Sequence, residues 1–177
     1  MVFVAQLFVL ALTAAATPIL RRDAVTVEND ITQKISPQIQ TLYNDVQGFP
    51  ASGLIGAITI DSDFKTLVAT LSSANSDIHS AGVFSEADGI SITQAFTSLT
   101  SILSGTLSDI QDQTAAWADL PGGQPLVLRK LQSLKTTFDD FAQALTAAEP
   151  ADLVPSATSL TSQVDNAFAS AIAAYSD

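Results

Sequence analysis

The chain has 177 residues, no cysteine, one histidine and a net charge of −11 at pH 7. That balance argues against nucleic acid and anionic membrane surfaces as partners, because phosphate binding needs a basic footprint. The missing thiols remove disulfides, cysteine nucleophiles and zinc–sulfur sites from consideration. Only 14% of residues are charged while 47% are apolar, so the polar faces must be built from Ser, Thr, Gln and Ala.

Residues 2–12 form an apolar run followed by Ala14, Ala15 and Ala16, the pattern of a secretory signal peptide. No Lys or Arg precedes the run, and it is shorter than the roughly 20 apolar residues of a bilayer span. Arg21-Arg22 is a dibasic pair of the kind that processing proteases cut after. The expected organisation is a signal peptide over 1–16, a short propeptide over 17–22 and a single domain over 23–177. Loss of Arg21 and Arg22 removes two positive charges and no acids, leaving −13. No Asn-x-Ser/Thr acceptor occurs, and no hydrophobic tail follows Tyr175, so no C-terminal lipid anchor is expected.

Five segments then carry helical periodicity. The first places Val27, Ile31, Ile35, Ile39, Leu42 and Val46 on one face, with Pro37 predicted to kink it and Gly48-Phe49-Pro50 to end it. The second, about Ser52 to His79, presents Leu54, Ile58, Leu67, Leu71, Ala74 and Ile78. Its β-branched stretch Leu54–Ile60 could read as a strand, but it runs without a break into the periodic part. Ser85-Glu86-Ala87-Asp88 is an N-cap with acids in the first turn, opening a third helix with Ile92, Phe96, Leu99, Leu103, Leu107 and Ile110. This helix runs towards Trp117 and stops at Leu120-Pro121-Gly122-Gly123, the strongest loop signal in the chain and the one expected hinge. Pro125 suits the first position of the fourth helix, striped by Leu128, Leu131, Leu134, Phe138, Phe141 and Leu145. After Glu149-Pro150 comes the fifth, with Leu153, Ala157, Leu160, Val164, Phe168, Ile172 and Tyr175. The expected fold is all-α, an antiparallel bundle of about five amphipathic helices.

Catalytic parts are scarce. His79, read as an exposed loop residue, has no Gly-x-Ser-x-Gly elbow beside it, and one histidine cannot make a His-pair metal site. The acid pairs Asp61/Asp63, Asp109/Asp112 and Asp139/Asp140 lack the glycine and terminal glutamate of a calcium loop. They read as solvated acids rather than facing carboxylates in a cleft. Neither a cofactor nor a metal is expected. The basic cluster Arg129-Lys130 with Lys135 fits either a receptor for a lipid carboxylate or the polar flank of an ordinary helix. The aromatic stripes fit a packed core, and equally a lipid-sized tunnel between helices.

Several segments carry a family likeness: Ala14-Ala15-Ala16-Thr17-Pro18, the Arg21-Arg22-Asp23 junction, and Leu128-Arg129-Lys130-Leu131-Gln132-Ser133-Leu134-Lys135. Phe138-Asp139-Asp140-Phe141-Ala142-Gln143-Ala144-Leu145, Pro150-Ala151-Asp152-Leu153-Val154 and the closing run from Ala167 to Tyr175 extend it. In these the chain resembles the fungal hydrophobic-surface-binding proteins, related to the lipid-binding domains of cell-wall galactomannoproteins. The resemblance covers nearly the whole chain and is strongest from Leu128 onward. It implies a secreted, extracellular or cell-wall helical protein without catalysis, often O-glycosylated, whose partners are hydrophobic surfaces or fatty acids. It further implies recruitment of a secreted polyester hydrolase. A structural, antigenic cell-wall mannoprotein is the alternative. No ligand residue carries over by motif. Stripe position alone nominates Phe96, Leu99, Leu103, Leu131, Leu134, Phe138, Phe168 and Ile172 for the acyl chain, and Arg129 and Lys130 for its headgroup.

Overall fold

The computed structural model describes residues 17–176, with side chains described from Asp23 onward; the expected signal peptide lies outside the described residues. The chain enters as a long helical rod in three parts. Helix α1 spans Thr17–Asn29, a π-helical segment spans Asp30–Ile35, and α2 spans Ser36–Gly48. The backbone is therefore already helical through the expected 17–22 propeptide. Near Pro37 the rod departs from regular α-helix without ending. The π segment lies just upstream, where the Ser36 N–H bonds to the carbonyl of Ile31, and Pro37 falls in the first turn of α2. A proline there needs no N–H, and the wider turn before it relieves the usual clash with the carbonyl four residues back. The same turn corrects the stripe. Steps of four residues overshoot an α-helical turn by about 40° each, so Val27, Ile31, Ile35 and Ile39 would drift off a single face. The added residue per turn draws them back, and all four are buried.

Helix α3 (Gly53–Ala81) includes the β-branched stretch, which is helical as expected, and α4 spans Glu86–Asp112. Its cap is made as the sequence suggested, with Ser85 Oγ accepting from the Asp88 N–H. The third predicted helix is interrupted at Gln113, leaving a short α5 (Thr114–Ala118) that carries Trp117. The interruption has a use: Gln113 Nε2 donates to the carbonyls of Val46 (2.6 Å) and Phe49 (3.0 Å), closing off the end of α2. Helices α6 (Gly123–Ala148) and α7 (Val154–Ala174) complete the chain. Pro125 is the third residue of α6 rather than the first, still within the turn whose N–H groups need no helical partner.

Successive long helices reverse direction, and they close into a ring. The rod packs on α3, α3 on α6, α6 on α7, α7 on α4, and α4 back on the rod. Five cylinders in contact at ~9 Å leave their common axis about 8 Å from each helix axis, farther than in a four-helix bundle. Large side chains are needed to fill that centre. Phe96 (α4), Phe138 and Phe141 (α6) and Phe168 (α7) supply them, with ring centroids 6.0–6.4 Å apart. All four are fully buried, as is Phe64 of α3. Among the described residues no helix is long and apolar enough to cross a membrane.

Candidate functional site

One end of the ring gathers the start of α3, the α5 turn and the start of α6. Gly122 takes φ 73°, a left-handed conformation that suits glycine. Gly123 lies so close to α5 that a Cβ would fall 2.3 Å from the Trp117 carbonyl oxygen. These two glycines let α6 begin pressed against α5, and the Trp117 ring stacks on Phe49 at 4.4 Å. The Leu120–Pro125 segment is thus a packed corner.

Between α3 and α6 at this end runs a groove with a volume of 560 Å³, within the range of sites that hold small ligands, ~300–1,000 Å³. Its floor includes Ala57 and Trp117, both members of the buried core. Above them stand Leu54, Ile58 and Leu126. Leu54 and Ile58 were expected on the core stripe, and the structure corrects this: they are 65% and 62% exposed, and neighbouring Ile55 is 79% exposed. The core face of α3 is instead Ala57, Ile60, Phe64, Leu67, Leu71, Ala74 and Ile78. Apolar residues on both sides of the Leu54–Ile60 turns give both faces a claim, and the face with Phe64 fills the ring better.

Charge collects in the same place. Lys65, Arg129 and Lys130 all line the groove, with Asp61 the one carboxylate among its lining residues. Lys130 Nζ lies 2.8 Å from Asp61 Oδ1 and Lys65 Nζ 2.5 Å from Oδ2. Hydrogen bonds from Lys130 and then Lys65 hold the Asp61 carboxyl below its ordinary value, so it stays ionised. The Arg129 Nε donates to the Pro125 carbonyl at 3.2 Å, and no ion pair to Arg129 occurs among the described residues.

A second groove, 660 Å³, runs between α6 and α7 past Asp139, Asp165 and Glu149. Its character is the opposite. Lys135 is already committed to Asp139 and Asp165 at 2.8 Å each. Glu149 is only 5% exposed; its Oε1 accepts from the Thr93 hydroxyl at 3.1 Å while Oε2 is buried with no hydrogen-bond partner. Burial raises its carboxyl to about 7, against a smaller lowering by Thr93.

The predicted residues divide cleanly. Arg129 and Lys130 line the first groove. Phe96, Leu99, Leu103, Leu131, Leu134, Phe138 and Phe168 are fully buried in the core, and Ile172 packs half-buried against it. None of these eight lines the groove. Leu128 and Leu160, placed on the stripes, are only partly buried, with Val127 taking the inward position beside Leu128. His79 lies in the last turn of α3 rather than in a loop, and is exposed. Among the described residues no group of three His, Cys, Asp or Glu is placed to hold a metal.

The family model for hydrophobic surface binding protein A matches residues 24–147. The chain belongs to this family. A curated relative, cell wall mannoprotein 1 of Aspergillus flavus, is 25% identical over 168 residues, 95% of this chain. The chain spans 60% of that relative's length. Among solved structures, Afmp4p in complex with palmitic acid is similar with a TM-score of 0.81 and 28% identity, over 86% of this chain and 99% of that one. Ligand binding domain 1 of the Penicillium marneffei MP1 protein, complexed with arachidonic acids, gives a TM-score of 0.80 at 16% identity. That likeness covers 87% of this chain and 99% of that one, and shows the shared fold. The groove residues of this family member that sequence reasoning missed are Leu54, Ile58, Trp117 and Leu126. Two of them were visible as apolar residues beyond those a single stripe needs.

Proposed function

We propose that this chain is a secreted or wall-associated, non-catalytic member of its family that binds long-chain fatty acids and adsorbs to apolar surfaces. The carrying observation is a groove whose floor is the core itself, at Ala57 and Trp117, beneath the exposed Leu54 and Ile58. The similar structures that hold palmitic and arachidonic acids support the choice of ligand. The tail lies in the groove and passes Trp117 towards Leu131 and Leu134. The interior it then meets is Phe96, Leu99, Leu103, Phe138, Phe168 and Ile172, once the rings shift aside. Each buried methylene contributes ~0.8 kcal/mol, so ten supply ~8 kcal/mol before ordering costs, on the scale of micromolar binding. On the same reading, Leu54, Ile55 and Ile58 meet apolar solids, and the adsorbed layer is what a secreted polyester hydrolase is recruited to.

Native mass spectrometry of protein secreted by its own host tests the reading. A fraction heavier by one fatty acid is expected, and it should be lost on organic extraction. A wholly ligand-free spectrum that does not change on adding palmitate refutes fatty-acid binding. That outcome leaves a structural wall component, the reading favoured by the mannoprotein relative.

A further inference from the structure

The chain carries −11, yet among the described residues Lys65, Arg129 and Lys130 gather at one apolar groove. Three of its seven Lys and Arg residues line that groove against a single carboxylate, a local balance of +2. The first turns of α6 and the start of α3 also meet there. Their helix dipoles present positive ends of the same sign. Asp61 touches two of the three cations, and its own exposure leaves it within reach of solvent.

We propose that this groove selects amphiphiles with a carboxylate head, and that Asp61 is the resident competitor which the incoming carboxylate displaces from Lys130 and Lys65. The inference rests on the fatty-acid reading above and deepens it by naming what discriminates among apolar ligands. A neutral tail gains only burial along Leu54, Ile58 and Leu126. An anionic amphiphile gains burial together with Arg129 and a share of Lys130. The arrangement sets a limit on the gain, because every contact to Lys130 is made in exchange for one to Asp61. Lys130 and Asp61 each keep 20% of their side-chain surface in solvent, and ion pairs open to solvent contribute up to ~1 kcal/mol, a factor of about five. Asp61 therefore tempers affinity while keeping the two lysines paired in the absence of ligand.

Displacement of a fluorescent lipid probe by dodecanoate and by 1-dodecanol, at pH 7.5 and low salt, separates the possibilities. The full chain is expected to prefer dodecanoate, with the preference shrinking at 0.5 M salt, where charges are screened within a few ångströms. Asp61→Asn should tighten dodecanoate binding about three- to fivefold and leave dodecanol unchanged. The double substitution Arg129→Gln, Lys130→Gln should abolish the preference and leave dodecanol binding intact, which also shows that the variant is folded. Equal binding of both ligands, or a preference indifferent to all three substitutions, overturns the selectivity while the fatty-acid reading survives. Failure of the parent to bind either ligand overturns both.

Discussion

Replacing Glu149 by Gln should flatten the dependence of stability on pH between about 5 and 7. The carboxyl sits at the α6–α7 corner, with Oε2 wedged against α4, where a Cβ on Gly89 would lie only 2.6 Å away. Burial raises it to about 7 from an ordinary 4.5. The folded chain thus holds a proton that the unfolded chain releases, so stability falls as pH rises from 4.5 through 7 and is level above. A rise of roughly 2.5 units corresponds to about 3 kcal/mol at most, or roughly 6–12 °C in Tm for a chain of this length. The amide keeps the Thr93 hydrogen bond but cannot ionise. Its NH₂ adds a constant cost at every pH, so the slope rather than the absolute value is the signature. Urea unfolding of parent and variant at pH 4.5, 6 and 8 reads it. The difference between them should grow in the variant's favour by up to about 3 kcal/mol across that range. A constant difference would show that Glu149 is solvated and that the corner opens more than its burial indicates.

Phe138→Ala removes the ring that touches Phe96, Phe141 and Phe168, and should lower stability by ~3–5 kcal/mol in urea unfolding. The double change Leu54→Ser, Ile58→Ser alters exposed positions, so stability should move by under ~1 kcal/mol. Retention on octyl-coated beads should fall severalfold. Gly123→Ala drives a Cβ towards the Trp117 carbonyl and should destabilise the α5–α6 corner by ~1–3 kcal/mol, seen as a drop in Tm with a changed Trp117 fluorescence. Asp63, raised to about 6 by burial and then by the neighbouring Asp45, should lose stability as pH rises from 4 to 6. Asp63→Asn should remove that part of the profile and leave the Glu149 part in place.

The five helices were legible because periodicity and punctuation agreed. Ser85 before two acids marked one start, and Leu120-Pro121-Gly122-Gly123 marked one stop. Pro37 marked where the rod leaves regular α-geometry, but propensity did not show that the departure is a widened π turn just upstream of it. The interruption at Gln113 was invisible, since it depends on the carbonyls of Val46 and Phe49, 67 and 64 residues away. The candidate site was half legible. Arg129 and Lys130 stood out as the basic pair within the expected domain, and they do border a groove. Its walls were hidden because Leu54 and Ile58 share a helix with enough apolar residues for two faces. Sequence alone does not decide which face a five-membered ring will bury. Nor does it reveal Asp61 facing Lys130, a pairing set by the parallel run of α3 beside α6.

The central claim is that this chain takes a fatty acid into an apolar site continuous with its core. Isothermal titration with palmitate at three temperatures between 15 and 35 °C measures it most directly. The account predicts saturable binding with a Kd on the order of micromolar and an enthalpy that becomes more favourable on warming, the negative heat-capacity change of apolar burial. Binding heats that do not saturate, or an enthalpy independent of temperature, would contradict it.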